Sequence, residues 1–309
     1  MDFLSGLNPE QRRAVEHVEG PLLILAGAGS GKTRVITHRI AHLIAHHRVY
    51  GPSILAVTFT NKAAGEMRER VLRLLGGLPT GAGPVVSTFH SFCVRLLRRD
   101  GASLAGLRPG FTTQFHIYDE SDQLALLKQV YKKLGLDEKA LPPRGVLSRI
   151  SHAKNQKLTP EDFYRVSADP NATRIAALYE HYQKGLEAAN ALDFDDLLLE
   201  AVRLLRHDEA VRDLWNRRIE FLMIDEYQDT NRPQYELMRL LTVSHSNVAV
   251  VGDEDQSIYG WRGADIRNIL DFERDFPGAT VIRLEQNYRS TKTILEAASR
   301  VVEHNTARK

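Results

Sequence analysis

Apolar positions along this chain fall in short unbroken runs rather than in alternation. Residues 21–26, 53–59, 221–224 and 247–251 are four such runs. Runs of this length predict strands buried on both faces, as in a parallel sheet covered by helices. Residues 85–90 predict a further strand, and residues 280–284 a last one. Between the first strands lie two helical stretches. One covers residues 35–45; the other runs over residues 62–75, opened by Thr60 or Asn61 and stopped by Gly76-Gly77. The order strand, helix, strand, helix, strand predicts an α/β fold: a parallel sheet with crossover helices on both faces. Ahead of it, Asn8-Pro9-Glu10-Gln11 opens a helix. Asn8 is the N-cap, Pro9 suits the first helical position, and Gln11 completes a capping box.

The pattern changes after about Cys93. Residues 93–191 read as mainly helical, with a stripe at Leu124, Leu127 and Val130 and interruptions at Pro142-Pro143, Pro160 and Pro170. The strand pattern resumes near residue 192. This predicts a discontinuous α/β domain, residues 1–92 and 192–284, carrying an inserted helical domain at 93–191. Residues 291–303 form an amphipathic helix beyond the last strand.

Composition narrows the class only a little. The chain has 309 residues, 43% hydrophobic and 26% charged, which fits a globular protein with a real core. The formal net charge of +2 names no partner. The insertion holds 15 Lys+Arg against 11 Asp+Glu, a balance that suits either a solvated surface or a nucleic-acid face. Cys93 is the single cysteine, so no intrachain disulfide and no cysteine zinc site forms, which suits a reducing cytoplasm. No apolar run approaches the ~18 residues of a membrane span.

The chemistry gathers at strand ends. Residues 21–25 run into Ala26-Gly27-Ala28-Gly29-Ser30-Gly31-Lys32-Thr33-Arg34. This is a P-loop between strand and helix: a curled backbone whose N–H groups cradle phosphate, Lys32 for the β/γ-phosphates and the Thr33 hydroxyl for Mg²⁺. Its first position is Ala26, where the strict pattern has glycine. Four apolar residues then lead to Asp225-Glu226, Asp225 suited to the metal and Glu226 to polarising the attacking water. The run ending in Gly252-Asp253 leads to Gln256, placed to sense a γ-phosphate, and to Tyr259, Trp261 and Arg262. Such an aromatic and cationic group stacks on nucleobases; Trp261 is alternatively a core aromatic. Phe59 and His90 end two predicted strands, expected beside the P-loop strand. Asp193, Asp195 and Asp196 read as helix capping; a metal-dependent nuclease is the other reading, and no further carboxylate and lysine cluster accompanies them.

Taken together the chain resembles the UvrD/Rep/PcrA family of superfamily 1 DNA helicases. The matching segments are Leu7-Asn8-Pro9-Glu10-Gln11, the P-loop, Thr58-Phe59-Thr60-Asn61-Lys62-Ala63-Ala64, Ser87-Thr88-Phe89-His90-Ser91-Phe92, Asp193-Phe194-Asp195-Asp196, Asp225-Glu226-Tyr227-Gln228-Asp229-Thr230-Asn231, the segment from Gly252 to Gly263, and Gln286-Asn287-Tyr288-Arg289-Ser290. The resemblance implies a RecA-like P-loop NTPase fold and an ATP-dependent, 3′→5′ DNA helicase using ATP and Mg²⁺. It implies that Gln11 reads adenine, Tyr288 stacks near the base and Arg289 approaches the γ-phosphate. Phe59, Asn61, His90, Tyr259, Trp261 and Arg262 would line a single-stranded DNA track. Implied partners are single-stranded and partly duplex DNA, DNA-repair or replication proteins, and a second helicase half. Residues 285–309 are then the start of that second motor domain or a linker, and the chain reads as a fragment. A non-enzymatic single-strand binding module is the alternative expectation.

Overall fold

The computed structural model describes residues 4–79, 81–260 and 263–303. The apolar runs become strands β1 (Leu22–Ala26), β2 (Ile54–Thr58), β3 (Val85–Thr88), β6 (Phe221–Ile224), β7 (Val248–Gly252) and β8 (Thr280–Leu284). Strands β4 (His116–Ile117) and β5 (Ala191–Leu192) form a separate pair. The six longer strands make one parallel sheet in the order β3-β2-β6-β7-β1-β8. Among the described residues the helices are α1 (Pro9–Glu16), α2 (Lys32–Ala45), α3 (Asn61–Leu74), α4 (Phe89–Asp100), α5 (Glu120–Leu134), α6 (Pro143–Asn155), α7 (Pro160–Val166), α8 (Ala172–Ala188), α9 (Phe194–His207), α10 (Glu209–Arg218), α11 (Arg232–Leu241), α12 (Arg267–Leu270), α13 (Phe272–Asp275) and α14 (Lys292–Val302).

Every residue of β1, β2, β6 and β7 is buried. Successive side chains go to opposite faces. Leu22, Ile24, Ile54, Ala56 and Met223 pack against α1, α2 and α3, with Ala14, Val35, Ile40 and Met67. Leu23, Leu25, Leu55, Val57 and Ile224 pack against α4, α9 and α11, with Phe92, Leu96, Leu198 and Leu237. At about 1.5–3 kcal/mol for each such side chain taken from water, these two layers dominate the stability of the sheet.

Three sequence expectations shift. The third strand stops at Thr88, because the Thr88 side chain accepts the Ser91 backbone N–H at 3.2 Å and caps α4. Phe89 and His90 are therefore the first residues of a helix. The strands ending at Phe59 and His90 are not beside the P-loop strand: β6 and β7 lie between β1 and β2. The change of character at Cys93 is also not a change of core. Phe92, Cys93, Leu96, Leu97, Leu104, Phe111 and Phe115 belong to the sheet's own core. The separate helical core, built from Leu127, Val130, Val146, Ile150, Leu178, Tyr182 and Leu186, belongs to α5, α6 and α8. The parallel pair β4 and β5 joins its two ends, with His116 opposite Ala191.

No helix among the described residues is long and apolar enough to cross a membrane. Cys93 is fully buried, and burial holds its thiol far above the ordinary value. We expect it to resist a thiol-selective reagent in native buffer and to react completely in denaturant. Prompt native labelling would place α4 away from the sheet.

Candidate nucleotide site and strand-end groove

The carboxyl ends of β1, β6 and β7 are neighbours, so the loops leaving them share one edge, where ligands gather in open α/β sheets. After β1 the backbone curls through Gly29 and Gly31, at φ of +72° and +93°. These are left-handed conformations that glycine adopts without the usual strain. Gly31 serves as the N-cap of α2 and offers no side-chain cap. The first N–H groups of α2 thus face the loop, in contrast to α1, α3 and α4, whose Asn8, Thr60 and Thr88 cap them.

Lys32 Nζ is buried and makes no hydrogen bond, although Glu226 Oε2 lies 3.3 Å away. A buried ammonium without a good acceptor beside an uncapped helix start is a site shaped for an anion. Thr33 Oγ1 lies 3.4 Å from Asp225 Oδ2. Burial and the neighbouring Glu226 push the Asp225 carboxyl up to about 6; Asp229 is pushed up to about 6 by the same two causes. Carboxyls raised in this way are relieved by a cation. No group of three His, Cys, Asp or Glu among the described residues could hold a metal ion. A hydroxyl with one carboxylate fits Mg²⁺, which keeps waters and takes further oxygens from phosphate.

Glu226 has φ of +51°, a left-handed backbone unusual for a side-chain-bearing residue. Gln228, 1% exposed, holds its carboxylate: Nε2 donates to Glu226 Oε2 at 2.9 Å, and Gln228 Oε1 accepts from Asp253 N at 3.0 Å. Gln228 thereby ties the end of β6 to the end of β7. Sequence reasoning passed over it. Its signal was an amide set among Asp225, Glu226 and Asp229.

The other expected nucleotide residues have these places. Ala26 closes β1, and Gly27 O accepts from both Ser30 N and Ser30 Oγ, at 3.3 and 2.7 Å. Gln11 is fully buried. Its Oε1 accepts from Asn8 N as the capping box requires, and its Nε2 donates to Ser30 O at 2.8 Å, so the capping residue also braces the P-loop. Asn287 Nδ2 donates to Ala28 O, and Tyr288 N donates to Gly29 O at 2.9 Å. Tyr288 Oη accepts from Asn8 Nδ2 at 3.0 Å, while the ring is half-exposed. A Cβ on Gly29 would come within 2.6 Å of Arg289 Cβ, which puts Arg289 against the loop. Gln256 stands at the same edge with its amide donating to Asp253 Oδ2. Arg34 turns away and donates to Gly6 O at 3.1 Å.

A second feature crosses the same edge over β2 and β3. Phe59 stacks on Tyr259, centroids 5.1 Å apart and planes 28° apart. His90 meets Phe194 edge-on at 5.8 Å. Asn61 stands nearby, its Oδ1 3.5 Å from Ser91 Oγ. Phe59, His90 and Phe194 line a groove of about 750 Å³ between the sheet edge and α6, with Arg144 and His152 on its far wall. Burial holds the His90 imidazole below its ordinary value, so it offers this groove a neutral ring. Phe194 is 49% exposed although it opens a helix. The sequence displayed it only as a neighbour of capping aspartates. Trp261 and Arg262 lie outside the described residues.

The aspartate cluster resolves as capping, with Asp193 the N-cap of α9 and Asp196 closing a capping box. A single lysine from another helix also joins it. Lys154 Nζ bonds Asp193 Oδ2 at 2.7 Å and Asp196 Oδ1 at 2.8 Å, all three being buried. The partner lies 39 residues upstream, in α6.

Residues 7–277 match the family described as UvrD/REP helicase N-terminal domain. The chain is 51% identical over 308 residues to the ATP-dependent DNA helicase PcrA of Bacillus subtilis, covering 99% of this chain and 41% of that protein. It is 49% identical over 307 residues to the protein of the same name from Staphylococcus aureus, and 48% identical over 307 residues to that from Staphylococcus epidermidis, with the same shares covered. The chain thus spans about two fifths of the length of these curated relatives.

Proposed function

The chain belongs to the UvrD/REP helicase family, and from that premise we propose that it is the nucleotide-binding motor domain of an ATP-dependent 3′→5′ DNA helicase. It binds ATP with Mg²⁺ in the P-loop, and single-stranded DNA across the aromatic groove where a partly duplex substrate is being opened. The observation that carries the reading is the buried, unbonded Lys32 ammonium inside the glycine loop, facing Asp225 and Glu226.

The roles follow from positions. The N–H groups of residues 29–33 and Lys32 hold the phosphates, with Arg289 approaching from the segment laid over Gly29. Thr33 and Asp225 would hold Mg²⁺, which supplies charge neutralisation between phosphate oxygens. Glu226 accepts the proton of the attacking water. Gln228 occupies its Oε2, and Oε1 takes no hydrogen bond among the described residues. Glu226→Gln is expected to leave nucleotide affinity intact and lower turnover about 10²–10⁴-fold, the range for a lost general base. Gln11 and Tyr288 flank the loop on the side of Asn8 and would hold the base there.

Phe59 lines the groove and Tyr259 stacks on it, and base stacking on such rings contributes about 1–3 kcal/mol per base. We expect Phe59→Ala to weaken binding of a short oligothymidylate roughly 5- to 150-fold, with Mg–ATP affinity unchanged. Fluorescence anisotropy of the labelled oligonucleotide measures it. Equal oligonucleotide affinity in wild type, Phe59→Ala and Tyr259→Ala would remove the DNA track from this groove.

A further inference from the structure

The helical insertion meets the motor domain through the last turn of α6. Lys154 anchors it to α9, and Lys157 reaches Glu236 of α11. Between these two, Asn155 does something different. It is 8% exposed and uses both of its N–H donors and its carbonyl oxygen. Nδ2 donates to Ser151 O at 2.8 Å within α6 and to Asp195 Oδ1 at 2.9 Å on α9. Oδ1 accepts from Asn231 Nδ2, and Asn231 is the N-cap of α11.

Asn231 ends the turn that starts at Glu226, and Thr230 and Asn231 are also where the aromatic loop returns. Asn231 forms an antiparallel bridge with Ala264, Asp265 N donates to Thr230 O at 3.0 Å, and Asn268 Nδ2 donates to Thr230 O at 2.9 Å. Gly263 passes directly over Asn155, since a Cβ there would come within 2.9 Å of Asn155 Cβ. One buried amide thus touches the insertion, the turn following Glu226, and the end of the loop that carries Tyr259. A buried amide whose two N–H groups and oxygen are all bonded tolerates few other arrangements of its neighbours and penalises the rest.

We propose that Asn155 is a positioning residue through which the insertion holds the Glu226–Asn231 turn and the aromatic loop in one register, so that occupancy of the DNA groove and occupancy of the P-loop are energetically linked. This rests on the function proposed above. The linkage is a ratio: nucleotide affinity with a saturating oligonucleotide over nucleotide affinity without it. Coupling between sites typically amounts to about 5- to 150-fold.

The test uses the full chain, a slowly hydrolysed ATP analogue with Mg²⁺, and a short oligothymidylate. Wild type is expected to show a ratio several-fold from one. Asn155→Ala is expected to bring the ratio to within about twofold of one, with DNA-free nucleotide affinity unchanged. Asn155→Asp keeps the acceptor for Asn231 but sets a carboxylate against Asp195, and is expected to lose the linkage. Adding Asp195→Asn reverses donor and acceptor across that contact: residue 155 then accepts from both amides and gives up only its bond to Ser151 O within α6, the charge is restored, and the linkage returns. A role in folding alone gives no such recovery of the ratio. A ratio that survives Asn155→Ala, or fails to return in the double variant, overturns the proposal. So does a wild type that binds both ligands with a ratio of one, which leaves the proposed function standing. A wild type that binds neither ligand removes the proposed function and this inference with it.

Discussion

Lys32→Ala is expected to cost the chain about 30- to several-thousand-fold in Mg–ATP affinity while leaving its fold intact. The loss follows from what Lys32 does in the free protein, which is little. Its ammonium is buried, 3.3 Å from a carboxylate that Gln228 already holds, and without a hydrogen bond. Truncating one partner of a buried, hydrogen-bonded charge pair costs roughly 2–5 kcal/mol, and with nucleotide bound that pair is ammonium and phosphate. The free chain loses only an ion pair to Glu226, whose side chain is 38% exposed. Such a pair contributes about 0–1 kcal/mol to stability. Calorimetric titration of nucleotide, set beside urea unfolding of the same variant, separates the two effects. Undiminished binding in Lys32→Ala would remove the P-loop assignment. A large loss of stability would mean that Lys32 serves the fold instead.

The second large effect is expected at Lys154. Its ammonium is 1% exposed, bonded to Asp193 and Asp196, and 5.3 Å above the Tyr182 ring. Burial alone would lower its affinity for the proton, but Asp193 and Asp196 outweigh burial and hold it above the ordinary lysine value. Lys154→Met strands two carboxylates in a dry interior. Breaking a buried pair from one side costs about 3–5 kcal/mol. Lys154→Met with Asp193→Asn and Asp196→Asn is expected to recover most of that, because asparagine caps a helix as well as aspartate.

The pH dependence gives an independent check. Burial, followed by Asp193, already pushes Asp196 up to about 7 in the wild type. Loss of the ammonium raises it further. A carboxyl with a raised folded pKa favours the fold while protonated, and that contribution is lost as pH rises through the folded value. The deficit of Lys154→Met is therefore expected to be smaller near pH 5.5 than near pH 8. Urea unfolding followed by circular dichroism measures both; a deficit below about 1 kcal/mol at either pH would show that this cluster does not clamp the insertion.

The strands were legible because burial on both faces leaves no polar position: residues 22–26 and 54–58 are apolar almost throughout. The P-loop was legible because its glycines have a reason that survives without coordinates. Strand order was not, since any crossover helix of sufficient length reaches more than one neighbouring slot. The helical stripe of Phe92, Cys93, Leu96 and Leu97 looks the same whether it packs on a sheet or on other helices, which is why the insertion seemed to begin there. Lys154 and Asn155 were hidden for another reason. Their partners, Asp193, Asp195 and Asn231, are 39 to 76 residues away in sequence, and only the fold brings them together. Gln11 carried two meanings at once, capping and bracing, and only the first is local.

The sheet order also governs when the molecule can fold during its synthesis. The P-loop strand is the first of the six to be made, yet neither of its neighbours is near in sequence: Leu22 pairs with Ala249 on one side and Thr280 on the other. At roughly 5–20 residues per second, a ribosome takes about 10–50 s to deliver those partners. Throughout that interval a fully apolar strand stands without its edges. The two strands made next, β2 and β3, pair with each other and can wait together. The oldest strand therefore cannot pair before β7 is made, β8 can pair only with it, and the loop at its tip acquires its walls only when these late strands arrive.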